Sequence, residues 1–339
     1  MRVLVTGGTG LLGRNIIPFL VGNGHQVIAL VRSAEKARDF IAEAVELVQG
    51  DLAAPESYAN SLVDIEAVIH AGACYSEFYR SNRSKEQLVD VNVKGTLALL
   101  ETCRERGVRR FVYVSSAGVL DTKEGEATDE SAAYSKANDG PYFESKIEAE
   151  KTALNFAEEH PDMHLVVLLP TVMIGPNDTG PTPTGAVLKR LADGELNIVF
   201  PGAMNLVDAR DVAAAAVTAL GRGEHGARYL LGGSRHSVKD IFVKVSAAVG
   251  RPAPSKAPPP AMLKFILAMR GMVAKLQGKR PPLRPADINR LQRDFWFSSA
   301  KAEQDLGLRM RPMQETLTDT AHWFAQQTGA DGGAVAARR

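Results

Sequence analysis

The segment Val3-Leu-Val-Thr-Gly-Gly-Thr-Gly-Leu-Leu-Gly13 constrains this chain more than any other. A β-branched apolar run that ends on closely spaced glycines and passes into a helical pattern reads as strand, tight loop, helix. The three glycines differ in what they do. Gly7 makes the tight turn, Gly10 lets the backbone approach a pyrophosphate, and Gly13 allows close helix–strand packing. The helix from Leu11 directs its first N–H groups at that phosphate, with Thr9, Leu11 and Leu12 around it. On this stretch alone, a glycine turn that holds no ligand stays open as the alternative.

With 339 residues the chain has room for one large α/β unit, or a nucleotide-binding unit with a smaller lobe. A net charge of +1 gives no reason to expect nucleic acid as a partner. The two cysteines, Cys74 and Cys103, are too few for a disulfide scaffold and lack metal-ligand spacing, so no metal is expected and a reducing cytoplasm fits. Met1 lies one residue before the first strand, which argues against a signal or transit peptide. No apolar run reaches the ~20 residues of a membrane span. Residues 328–339 read as a disordered tail.

The second strand, Gln26–Val31, ends where a dinucleotide fold chooses its cofactor. An acidic residue there would accept from a free ribose 2′-hydroxyl. This chain has Arg32, with Lys36 one turn on, and a guanidinium fork suits a 2′-phosphate. The pattern points to NADP over NAD, with a solvated strand-end charge as the alternative. After a third strand, Asp51-Leu52 either reaches an adenine edge or makes a plain turn. Ala67–His70 is a central strand running into Ala71-Gly72-Ala73, small enough for a cofactor to lie against the backbone. His70 reads as a satisfied structural histidine. Tyr75, Phe78 and Tyr79 follow in a polar loop, either as one wall of a substrate pocket or as surface packing. A long amphipathic helix over 84–106 holds Asn92 at mid-length, where propensity alone does not favour it. Strand 109–114 then delivers Ser115 and Ser116, and a polar excursion over 121–140 leads to the helix of Tyr142.

Tyr142 and Lys146 lie four apart, on one helix face. A phenol with a pKa near ~10 is a poor proton donor–acceptor at neutral pH, and a neighbouring ammonium favours its phenolate. Ser116, at the end of an adjacent strand, can donate a hydrogen bond to a developing alkoxide. Tyr-x-x-x-Lys alone is common; together with the glycine turn and the strand-end serines it points to chemistry.

These pieces resemble the short-chain dehydrogenase/reductase superfamily, in its extended, epimerase/dehydratase-like branch. The matching motifs, Thr6–Gly13, Gly50–Leu52, His70–Ala73, Asn92–Thr96, Val114–Ala117, Tyr142–Lys146, Leu169–Pro176 and Asp208–Val212, occur in family order. Within the branch, the look is that of dihydroflavonol-4-reductase-like proteins and the hopanoid-associated sugar epimerase group. The resemblance implies a doubly wound parallel sheet of Rossmann type with a smaller discontinuous lobe over the nicotinamide. It implies Tyr142 as proton donor and acceptor, Lys146 as the group that lowers its pKa and holds the nicotinamide ribose, and Ser116 as the residue orienting the substrate oxygen. It places Ser115 and Pro170-Thr171-Val172 at the cofactor, assigns Asn92 a part in a proton relay, and suggests a homodimer.

The expected division is 1–174 with 206–236 for the nucleotide, and 175–205 with 237–327 for the substrate, where Met173, Met204 and Asn205 complete the pocket. The apolar, methionine-rich helix from Met262 is read as a core or lid helix over a greasy substrate, with an oligomer contact and a membrane-surface helix as alternatives. The expected reaction is reversible hydride transfer to the carbonyl of a small, largely apolar molecule. The runner-up, a nucleotide-sugar epimerase or dehydratase, needs cations on a diphosphate, and 175–205 offers Lys189 and Arg190 alone. A non-catalytic dinucleotide-binding protein is the third reading, opposed by the intact Ser116, Tyr142 and Lys146.

Overall fold

The computed structural model describes residues 1–74, 84–136, 140–277, 288 and 291–336, the side chains of 275 and 328–336 excepted. The strands are β1 (Arg2–Thr6), β2 (Gln26–Val31), β3 (Glu46–Gln49), β4 (Ala67–His70), β5 (Arg110–Val114) and β6 (Ala127–Thr128). They continue with β7 (His164–Pro170), β8 (Val172–Ile174), β9 (Ala203–Asp208), β10 (Arg228–Leu231), β11 (Ser234–Ser237) and β12 (Trp296–Phe297).

Seven of them form one parallel sheet in the order β10-β7-β5-β4-β1-β2-β3. Parallel neighbours need crossovers, and the helices that make them cover both faces of the sheet. That is why β1, β4 and β7 read as continuous apolar runs: Val3, Val5, Val68, Ile69, Val166 and Leu168 are all buried. The chain builds outward from β1 through β2 to β3, then returns to lay β4 on the other side. The loops after β1 and β4 therefore diverge at a topological switch point and frame a crevice at the carboxyl edge.

One face is closed by α1 (Leu11–Gly22) and α7 (Ala209–Ala219), through Leu12, Ile16, Leu20, Val212 and Ala216. The other is closed by the helices around Val93, Leu99 and Leu100 and by α5 (Pro141–Glu159), through Ala149, Ala153 and Phe156. The long helix over 84–106 is interrupted: α3 (Lys85–Val89) and α4 (Gly95–Glu105) are joined by a π turn over Asp90–Lys94, in which the Gly95 amide reaches back to the Asp90 carbonyl.

A third core unites α6 (Pro183–Ala192), α8 (Val238–Ala248) and the terminal helix Met313–Ala336 on a three-stranded sheet ordered β11-β9-β8. Among the described side chains of its α9 (Pro260–Leu276), Leu263 and Leu267 are the buried ones, against Ile198, Phe200, Ile288 and Leu291. The terminal segment is tied back by ions. Asp208 accepts from the Arg210 side chain and the Thr316 hydroxyl, Arg210 also bonds Asp319, and buried Asp211 pairs with Arg311. Two details depart from the sequence reading. Ala302, Leu306 and Leu308, placed by sequence with the substrate lobe, pack into the α1–α7 core beside Tyr229. The final helix also runs on to Ala336, over residues read as a disordered tail, in spite of Gly329, Gly332 and Gly333.

Candidate active site

The glycine loop is shaped by three close approaches. Gly7 has a φ of 73°, and a Cβ there would lie 2.8 Å from the Ala71 carbonyl and the Gly72 amide, so the loops after β1 and β4 touch. A Cβ on Gly13 would stand 2.3 Å from the Gly7 carbonyl; the close packing is of helix against loop, not of helix against strand as expected. A Cβ on Gly10 would meet only the Gly7 carbonyl, at 3.4 Å, so this glycine faces open space. Gly10 is also the N-cap of α1 and supplies no capping side chain. The first N–H groups of α1 are thus left for an anion, the requirement of a pyrophosphate cradle. Leu12 is in the core and offers the loop only its backbone, while Thr9 is exposed.

Behind this shelf runs a chain of buried hydrogen bonds. The Gly72 amide donates to Thr6 Oγ1 (2.9 Å), leaving that hydroxyl to donate to His70 Nδ1 (2.7 Å). The Thr96 hydroxyl donates to the Asn92 carbonyl (2.6 Å) and so accepts from His70 Nε2–H (3.0 Å). Both ring nitrogens are satisfied and the tautomer is set. Burial, with Lys146 adding to it, pulls the His70 pKa down to about 3, so the imidazole is neutral and structural.

The π turn gives Asn92 its place. Its Oδ1 accepts from the Cys74 amide (2.7 Å), and its Nδ2 donates to the Cys74 carbonyl (3.0 Å) and to Ser145 Oγ (3.0 Å). Ser145 in turn donates to the Tyr142 carbonyl (2.7 Å). Asn92 thus ties the chain leaving β4 to the first turn of α5.

That turn carries the chemistry. Gly140, with a φ of 108°, brings the chain round, and Pro141 is preset for the first helical position. Tyr142 is nearly buried and Lys146 is 2% exposed. The Lys146 ammonium donates to the Tyr113 hydroxyl (2.9 Å) and to the Val114 carbonyl (3.0 Å), two residues before Ser116. Burial lowers its pKa to about 8, opposed by the charge of Glu150. Ser116 is half-buried at the head of a short turn, where Oγ accepts from the Gly118 amide (3.2 Å). This turn is pressed on α5: a Cβ on Gly118 would sit 2.2 Å from the Phe143 ring. Serine, tyrosine and lysine are therefore carried by two abutting elements at the carboxyl edge of the sheet, next to the switch-point crevice.

A model of the NAD dependent epimerase/dehydratase family matches residues 3–232. The chain belongs to that family. A protein of Synechocystis sp. named "Putative dihydroflavonol 4-reductase" is 32% identical over 94% of this chain and 93% of its own. A 2-alkyl-3-oxoalkanoate reductase of Stenotrophomonas maltophilia is 30% identical over 91% and 94%. The crystal structure of gox2253 superposes with a TM-score of 0.82 at 31% identity, covering 96% of this chain and 98% of that one. The chain is an enzyme of the extended short-chain dehydrogenase/reductase type, from a family that works with a nicotinamide dinucleotide.

Several family positions have other partners than the sequence implies. The Ser115 hydroxyl, expected at the cofactor, is bonded to buried Glu150. Thr171 Oγ1 is held by the Gly232 carbonyl (3.0 Å), so the Pro170–Val172 edge offers Val172, 38% exposed. Met173 pairs with Val207, whereas Met204 alternates with it along β9, so the two methionines face opposite sides of the small sheet. Met204 packs into the α6–α8 core, and Asn205, on the Met173 side, donates to the Phe295 carbonyl (3.3 Å). Asp51 Oδ1 accepts from the Ala53 amide (3.0 Å), a turn that uses one carboxylate oxygen; Leu52 packs against Gly72 and Gly95. Arg32 and Lys36 are exposed, with no ion pair among the described residues. Ala73 is exposed beside Asn92's partner Cys74. Tyr75, Phe78 and Tyr79 lie outside the described residues.

Two residues were missed by sequence reasoning. Tyr113 holds the ammonium. Glu150 is wholly buried and accepts from Ser115, from Tyr134 (3.2 Å) and from Arg228 (3.4 Å), while burial raises its pKa. A signal for Glu150 was present: Tyr142, Lys146 and Glu150 recur every fourth residue along one helix face.

Proposed function

We propose that this enzyme is an NADP-dependent carbonyl reductase acting on a small, largely apolar aldehyde or ketone. The bound nicotinamide dinucleotide supplies or accepts the hydride. Gly7, Gly10 and Gly13 would admit its pyrophosphate at the start of α1, and Arg32 and Lys36 would meet a ribose 2′-phosphate. Tyr142 passes the proton to the substrate oxygen, Ser116 donates a hydrogen bond to that oxygen, and Lys146 stabilises negative charge on the phenol as the proton leaves. Orientation carries much of the effect, and the Asn92–Ser145 hydrogen bonds hold the Tyr142 turn in place for it.

The observation that carries this reading is the buried Lys146, on the helix face of Tyr142 and bonded to the Val114 carbonyl two residues before Ser116. The oxoalkanoate reductase and the dihydroflavonol-reductase-named relative support a carbonyl as substrate. Against a nucleotide sugar stands the engagement of three of the lobe's described cations. Lys189 pairs with Asp193 (2.8 Å), Arg190 with Glu195 (3.2 Å), and Arg293 bonds Thr122. Loss of NADPH absorbance with a panel of apolar aldehydes and ketones is the test. Tyr142→Phe should lower kcat by about 10²–10⁴-fold with the fold intact. Turnover unchanged in that variant, or activity confined to UDP-sugars with tightly held NAD, overturns the reading.

A further inference from the structure

The face of α9 turned away from the protein is apolar. Met262, Phe265, Ile266, Met269, Met272, Val273 and Leu276 recur at helical spacing, and each is at least 41% exposed, Phe265 reaching 68% and Leu276 83%. They fill an arc about 120° wide, while Leu263 and Leu267 occupy the buried side. A helix buried in a core or closed over a substrate would not leave such a stripe in water.

The charge along this stretch of sequence is one-sided. Between Asp240 and Asp287 the chain has no acidic residue, whereas nine lysines and arginines fall from Lys244 to Arg284. In a chain with 40 basic and 39 acidic residues this is a marked segregation. On α9 itself, Arg270 borders the apolar arc on one side and Lys264 lies beyond its other edge, neither ion-paired among the described residues.

From this juxtaposition of an outward apolar stripe with the basic flanks Lys264 and Arg270, we propose that α9 docks the enzyme on an anionic lipid surface. The helix is 17 residues long, about 25 Å, too short for a ~30 Å hydrocarbon core and charged along its flanks, so it lies in the interfacial plane. Its apolar side chains enter the acyl boundary, and the basic groups meet lipid phosphates. A second copy of the chain fits less well. A stripe about 25 Å by 10 Å offers about 250 Å² against the ~800 Å² per partner of a stable dimer, and a two-fold contact would bring like charges together.

Flotation of the full-length protein, without cofactor or substrate, tests docking independently of the reductase reading. Vesicles of phosphatidylcholine with a quarter phosphatidylglycerol should carry it upward, and pure phosphatidylcholine several-fold less. High salt should reduce the difference. Phe265→Glu with Met272→Glu should cut vesicle binding by at least about tenfold while elution volume and basal activity stay as in the parent. Lys264→Glu with Arg270→Glu should abolish the preference for anionic lipid. Failure to float, equal binding to both vesicles, or a change of oligomeric state in the apolar variant overturns the proposal.

Discussion

Lys146 is held at a pKa of about 8 by two opposed influences, burial lowering it and Glu150 raising it. Below about pH 8 the ammonium is present to stabilise the phenolate; above it the charge is lost. A basic limb near pH 8 is therefore expected in kcat/KM, which reports the free enzyme. Glu150→Gln removes the raising influence, so the limb should move to lower pH, and an unmoved limb would separate Glu150 from the lysine. Arg32 gives the other prediction at this scale. Arg32→Asp should raise the KM for NADP by more than about tenfold and spare NAD, because a carboxylate repels the 2′-phosphate and accepts from a free 2′-hydroxyl. Equal effects on both cofactors would place the preference elsewhere. Both residues belong to patterns visible in the chain, but only at Arg32 did the pattern suggest a part to test. Glu150 looks like any solvated helix glutamate until the sheet is laid against it.

At the scale of the element, the π turn is the informative unit. Asn92 is a mediocre helix former whose amide makes three hydrogen bonds, two to the Cys74 backbone and one to Ser145. Asn92→Ala would strand those groups and should cost about 1–3 kcal/mol in urea unfolding. Because the Ser145 bond leads to the Tyr142 turn, kcat should fall more than KM rises. The mid-helix asparagine is legible as an anomaly in the sequence. Its partners are not: Cys74 and Ser145 lie 18 and 53 residues away, and hydrogen bonds at that separation follow from packing.

For the whole molecule, the terminal segment is bound to the end of β9 and the start of α7 by Asp208–Arg210–Asp319 and Asp211–Arg311. Asp211 is 2% exposed in its side chain and burial raises its pKa, so its ionised form depends on Arg311. Arg311→Ala should destabilise the protein by about 2 kcal/mol, discounted because Arg311 is partly solvated and its backbone amide still donates. The loss should be smaller in Asp211→Asn, which removes the charge that needs a partner. Thermal unfolding of the single and double variants checks the coupling.

The sequence alone determined the parallel sheet, the glycine cradle and the Tyr142–Lys146 pair, because each is written locally: in apolar runs, in glycine spacing, in a four-residue helical repeat. It could not decide where Lys146 sends its protons, that Ser115 bonds Glu150, or that Met173 and Met204 look in opposite directions. Those depend on strand register and on which buried groups are left to satisfy one another. The outward face of α9 is of the same kind. Periodicity shows that a helix has an apolar stripe, but only the packed lobe shows which stripe is already used and which is left to the solvent.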